Sequence, residues 1–133
     1  MPAPTRVLVV EDDVATRTAM VEALEQLGYE VLQAGSVADA GGRSDFDIAL
    51  LDLHLPDGSG LGALKAWRER GLDAPVLIIT ADRAAEAIDR ALVSLDAWDY
   101  LPKPFALDTL EKAIEDSLAR VRERRSIEKR LTG

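Results

Sequence analysis

Five short apolar runs restrict what this chain can fold into more than any other feature: Val7–Val10, Val31–Leu32, Ile48–Leu51, Val76–Ile79 and, weakly, Tyr100–Leu101. None alternates apolar with polar residues, as a strand with one wet face would. Continuous apolar character suggests strands covered on both sides, as in a parallel sheet. Between the runs lie segments with helical spacing. The first, Val14 to Leu27, places Val14, Met20, Val21, Leu24 and Leu27 on one face, with Asp13 as N-cap and Gly28 as the stop. The third runs from about Gly60 to Arg70, with Leu61, Leu64 and Trp67 in step, and the fourth from about Ala84 to Val93. The last begins near Leu107 and turns Leu110, Ile114, Leu118 and Val121 inward. The second connection, SVADAGGRSD from Ser36 to Asp45, supports only one or two helical turns, because Gly41-Gly42 cuts it short. Ser126 to Gly133 has few apolar anchors and is expected to fray. Alternating strands and helices predict a doubly wound three-layer α/β sandwich, whose ligands sit beyond the carboxyl ends of the strands.

At 133 residues the chain is one domain with a real core. Its 47% hydrophobic and 30% charged residues are those of a folded protein, not a disordered one. No apolar run approaches the roughly 18 residues of a membrane span, and Val7–Val10 is too short for a signal-peptide core. With no cysteine there is neither a disulfide framework nor a thiolate metal site. A cytoplasmic protein fits best. The net charge of −8 is uneven: six basic residues against two acids follow from Arg120 onward, leaving residues 1–119 at −12. So acidic a body disfavours direct nucleic-acid binding, which depends on neutralising phosphates.

The strand ends carry the chemistry. The first run ends in Glu11-Asp12-Asp13, the third in Asp52, the fourth in Thr80, and the fifth leads into Lys103-Pro104. A parallel sheet gathers these on one edge. Two like charges about 4 Å apart repel by roughly 4 kcal/mol at an effective dielectric of 20. A hard divalent cation relieves that repulsion, and Mg2+ suits one or two carboxylates together with water and phosphate. Glu11 and Asp12 would hold it, and Asp52 would act as a carboxylate nucleophile forming an aspartyl phosphate. Lys103 supplies a compact positive charge for a phosphate oxygen, and Thr80 a hydroxyl for another. A turn cap would explain Pro56-Asp57-Gly58, but not an acid at position 52.

Together, VLVVEDD, FDIALLDLHLPDGSG, PVLIITA and DYLPKPF resemble the receiver domain of a bacterial two-component response regulator, over about residues 5 to 122. The resemblance implies a flavodoxin-like (βα)5 fold with strand order 2-1-3-4-5. It implies a receiver domain over residues 1–122, with 123–133 a basic helical extension or linker. Such a domain is a signalling switch and not a turnover enzyme. It takes a phosphoryl group on Asp52 from a sensor histidine kinase or phosphotransfer protein. Asp52, Thr80 and Lys103 would be the reactive set; Glu11, Asp12, Asp52 and the His54 main-chain carbonyl would be the metal ligands. Thr80 and Tyr100 would be the switch pair, His54 and Asp82 would tune the lifetime of the phosphoryl group, and Lys103-Pro104 would be cis.

The resemblance further implies a change at the face of the fourth helix, fifth strand and fifth helix, the face through which a homodimer would form. DNA would be contacted only through an effector domain outside this chain. Asp96 stands where the family commonly has glycine, and aspartate tolerates the left-handed backbone such a position asks for. The competing reading is a phosphohydrolase with an aspartyl nucleophile, but such enzymes carry an acid two residues later, where this chain has His54. No G-x-G-x-x-G or Walker pattern follows a strand, which disfavours a nucleotide-binding module.

Overall fold

The computed structural model describes residues 3–81 and 88–132. The apolar runs become β1 (Arg6–Val10), β2 (Glu30–Ala34), β3 (Ile48–Leu51), β6 (Val76–Thr80) and β7 (Asp99–Pro102). They form one parallel sheet in the order β2-β1-β3-β6-β7. A small antiparallel hairpin, β4 (His54–Leu55) and β5 (Gly58–Ser59), stands apart from that sheet just after β3. With the hairpin set aside, the order is 2-1-3-4-5. The helices are α1 (Val14–Gln26), α2 (Val37–Gly41), α3 (Leu61–Glu69) and α5 (Leu107–Thr132); α4 is described from residue 88, wound as a π-helix over Arg90–Ser94. Residues 84–87 of the expected fourth helix lie outside the described residues, as does Asp82.

Two cores explain why the strands read as unbroken apolar runs. Leu8, Val10, Ala49, Leu51, Val76 and Ile78 point to one side and pack with Ala40, Leu64, Trp67 and Ala91 from α2, α3 and α4. Val7, Val9, Ile48, Leu50, Leu77 and Ile79 point to the other and pack with Met20, Leu24, Leu110 and Ile114 from α1 and α5. The central strands β1, β3 and β6 thus bury both faces, while the edge strands β2 and β7 are only partly covered; burying each such Leu, Ile or Val side chain contributes about 1.5–3 kcal/mol.

The ends of α1 follow the sequence. Asp13 accepts from the Thr16 amide at 2.9 Å, and Gly28 adopts φ +93°. These amide and hydroxyl bonds hold the Asp13 carboxyl below its ordinary range. The expected apolar face of α1 is wrong at its ends, however. Val14 is 64% exposed and Leu27 37% exposed, while Met20, Val21 and Leu24 are buried. Val14 lies only about 20° around the helix from buried Val21, so its exposure follows from its place at the first helical residue, and Leu27 is the C-cap, past the last one.

Short α2 survives on borrowed partners. Its N-cap Ser36 accepts from the Asp39 amide at 3.1 Å, and the Trp67 indole donates to the Ala40 carbonyl at 3.0 Å. Arg70 donates to the carbonyls of Gly41 and of Arg43, the latter at 2.8 Å. Packing on this face is therefore complete, because α3 supplies what the two glycines withhold. At the opposite edge from the strand ends, Arg68 donates to the carbonyls of Leu72, Ala74, Leu95 and Asp96. Asp96 adopts φ +55°, the left-handed backbone its position requires.

Ser126 onward does not fray: α5 continues unbroken to Thr132. The extension lacks apolar anchors but not anchors. Arg120 and Arg124, one helical turn apart, lie with their guanidinium carbons 4.5 and 5.5 Å from the centre of the Trp98 ring, just ahead of β7. Cation–π contacts at exposed sites contribute about 0.5–1 kcal/mol each. Trp98→Ala should accordingly speed amide exchange beyond residue 120 by roughly tenfold while leaving that of the sheet unchanged, as read by hydrogen–deuterium exchange.

Candidate functional site

The carboxyl ends of β1, β3 and β7 meet at one ammonium group. Lys103, next after β7, donates to Asp52 at 2.7 Å and to Glu11. Glu11 is 1% exposed and Asp52 5% exposed; Asp12, beside them, faces solvent. One carboxylate oxygen from each of Glu11, Asp12 and Asp52 lies within 4.8 Å of the others. Such a set of hard oxygen donors fits a divalent cation with an open side toward water. The lysine therefore does more than wait for a phosphate: it already carries part of the counter-charge that two buried acids require.

Backbone geometry fixes Asp52 from the other side. The His54 amide donates to its second carboxylate oxygen at 3.0 Å, so both oxygens have partners. Gly60 allows the chain to fold tightly under this point, its amide donating to the Leu53 carbonyl at 2.9 Å. A Cβ at Gly60 would overlap the Asp52 carbonyl oxygen and press on the Leu53 Cα at 3.2 Å.

The two buried acids differ in their affinity for protons. Burial would raise the Asp52 carboxyl, but Lys103 and the His54 amide outweigh it and hold Asp52 below its ordinary range. Burial also raises Glu11, and there Lys103 offsets it only in part while the neighbouring Asp52 adds to it. Burial opposes the charge on Lys103, yet its two carboxylate partners reverse the effect and raise it. Asp52 is thus the more acidic of the two, as suits a nucleophile.

Thr80 ends β6, fully buried, and its main-chain carbonyl accepts from the Lys103 amide at 3.0 Å. Tyr100 pairs with Ile78 across the β6–β7 ladder and is half-buried, with its side chain packed against the α2–α3–α4 core. The Lys103–Pro104 peptide is cis. Glu11, Asp12, Asp52, Thr80 and Lys103 are accordingly gathered at one edge, as the strand ends implied. The His54 side chain is exposed beside them.

Two residues at this edge escape a reading of the sequence. Arg17 donates to the Glu11 carbonyl at 2.7 Å and to the Gln33 side chain at 3.2 Å, bracing the acidic loop. A cation in a helix's first turn opposes the macrodipole, and that is the signal that could have revealed it. Asp57 reaches α2, twenty residues back in the chain, and nothing local announces so distant a partner.

A doubly wound parallel sheet carrying an acidic cluster and a lysine over its carboxyl edge is the build of a phosphoacceptor receiver domain. The family model for the response regulator receiver domain matches residues 7–115, and the chain belongs to that family. The swarming motility regulation protein RssB of Serratia marcescens is 43% identical over 107 residues, covering 78% of this chain and 48% of its own length. The chain spans about half the length of the curated relatives it matches. Among solved structures, the non-phosphorylated HemR receiver domain of Leptospira biflexa superposes with a TM-score of 0.78 at 34% identity, over 85% of this chain and 93% of that one. The receiver domain of the sensor histidine kinase PA1611 of Pseudomonas aeruginosa, with magnesium in its active-site cleft, gives 0.74 at 28% identity, over 88% and 99%.

Gly60→Ala should displace the Asp52 backbone and destabilise the fold by about 1–3 kcal/mol, the usual effect of overpacking. Urea unfolding monitored by circular dichroism measures the loss; a midpoint equal to the parent's would refute the tight packing under Asp52.

Proposed function

We propose that Asp52 accepts a phosphoryl group, and that Glu11, Asp12, Asp52 and the His54 carbonyl hold Mg2+ while it does so. The observation that carries this is the state of Asp52: buried, ionised, and held between the Lys103 ammonium and the His54 amide. A carboxylate oxygen of Asp52 attacks phosphorus, an O–P bond forms, and the donor's bond to phosphorus breaks with the electron pair leaving on the donor. Bound magnesium would neutralise charge that develops on the phosphoryl oxygens. Lys103 can then turn from Asp52 toward a phosphoryl oxygen, and Thr80 offers its hydroxyl to another.

The donor is a sensor histidine kinase or a phosphotransfer protein, and the chain works as a cytoplasmic switch with a labile phosphate, not as a turnover enzyme. Phosphorylation adds about −1.5 to −2 charges at neutral pH. Thr80 and Tyr100 would answer that change and pass it to the face of α4, β7 and α5, through which two copies would pair. Output, including any contact with DNA, would come through a domain outside residues 1–122, and residues 123–133 would be the helix leading toward it.

Incubation with Mg2+ and acetyl phosphate should add one phosphoryl group, seen as a mass increase, and Asp52→Asn should abolish it. Labelling that persisted in this variant would refute the assignment. In this reading His54 and Asp82 tune how long the phosphate lasts. His54→Ala and Asp82→Ala should each change the hydrolysis rate without preventing labelling; unchanged lifetimes in both would overturn that role.

A further inference from the structure

The hairpin β4–β5 places Asp57 at the tip of a two-residue turn, since Leu55 pairs directly with Gly58. A turn aspartate ordinarily bonds within its own turn. This one turns outward to α2, accepting from the Val37 amide at 2.8 Å and the Ala38 amide at 3.0 Å, one with each carboxylate oxygen. Those two bonds hold its carboxyl below the ordinary range despite full exposure. Ser36 caps only the Asp39 amide, so Asp57 also serves α2 by satisfying the amides of its first two residues. The hairpin itself belongs to no larger sheet. Its other attachments include the Leu55 side chain, which packs against the core, the Gly60 amide on the Leu53 carbonyl and the His54 amide on Asp52. Gly62 brings α3 close to the same point, where a Cβ would lie 3.2 Å from the Val37 side chain.

We propose that Asp57 is a positioning residue for the phosphoryl site, fixing the hairpin against α2 so that the His54 peptide keeps its place at Asp52. This rests on the reading of Asp52 and its metal ligands given above. A hairpin held at its base and by one partly buried leucine can rock about Leu53 and Gly60. The His54 amide, bonded to Asp52, and the His54 carbonyl, which would serve the metal, would rock with it. Tying the tip to the start of α2 removes that freedom before any metal arrives. Asp57 touches neither the metal nor the phosphoryl group; it acts through the backbone between residues 54 and 57.

The test is metal binding to the unphosphorylated protein, read by water-proton relaxation with Mn2+ and by the Mg2+ concentration giving half-maximal labelling from acetyl phosphate. Asp57→Ala should weaken both by about tenfold, the lower end of what losing an outer-shell partner does to a metal site. Asp57→Asn keeps one acceptor oxygen and should weaken them by only about threefold; it also decides the matter should the alanine variant fail to fold. Ser36→Ala is the control, since it loosens the start of α2 without releasing the hairpin, and it should leave metal binding unchanged. Lower thermal stability with unaltered Mn2+ affinity in the Asp57 variants would overturn the proposal and make Asp57 a helix cap only. An equal loss of affinity in Ser36→Ala would also overturn it. Labelling of the parent at Asp52 separates these outcomes from a failure of the underlying site assignment.

Discussion

One ammonium group organises the functional edge of this molecule. Lys103 sits where β1, β3 and β7 end, bonded to an acid from each of the first two strands. Removing one partner from a buried ion pair leaves the other uncompensated, and that costs about 3–5 kcal/mol. Lys103 supplies the counter-charge that makes Glu11 and Asp52 tolerable inside the fold as it stands. The same contact leaves the two acids unlike, with Asp52 ionised more readily than its neighbour. A single residue thus reconciles burial with reactivity, and the strands converge as they do around it.

Much of this was legible in the chain because it depends on local patterns. Unbroken apolar runs implied a sheet buried on both faces, and both cores exist. A carboxylate after Leu51 and a lysine after Pro102 implied a chemical edge, and the parallel sheet brings them together. What stayed hidden depends on partners distant in sequence. Gly41-Gly42 correctly shortened α2, yet nothing near them reveals that Trp67 and Arg70 complete its hydrogen bonding. Arg120 and Arg124 read as solvated charges until Trp98 is placed beneath them. Apolar spacing also overstated α1, since Val14 and Leu27 have the right chemistry but stand at the two ends of the helix.

The edge opposite the strand ends shows how little of the fold is spent on function. There Arg68 ties two connections together through four carbonyls, and Asp96 holds the one left-handed non-glycine backbone among the described residues. Aspartate there accepts strain that glycine would not feel, and the guanidinium bond to its carbonyl, at 3.0 Å, compensates in part. Rigid support at that end leaves the working end free to be built from loops. The acidic loop and the hairpin are both held by side chains, Arg17 and Asp57, that belong to neither core.

The length of α5 has a mechanical meaning. Its 26 residues make a rod about 39 Å long at 1.5 Å per residue, beginning four residues after the lysine. A tilt of about 5° at the start of such a rod sweeps its far end through roughly 3 Å, several times any side-chain adjustment needed to cause it. Trp98 touches the rod near its midpoint, through Arg120 and Arg124, and the last two turns reach beyond it. A rearrangement beside Lys103 that tilted the rod would be magnified at its far end.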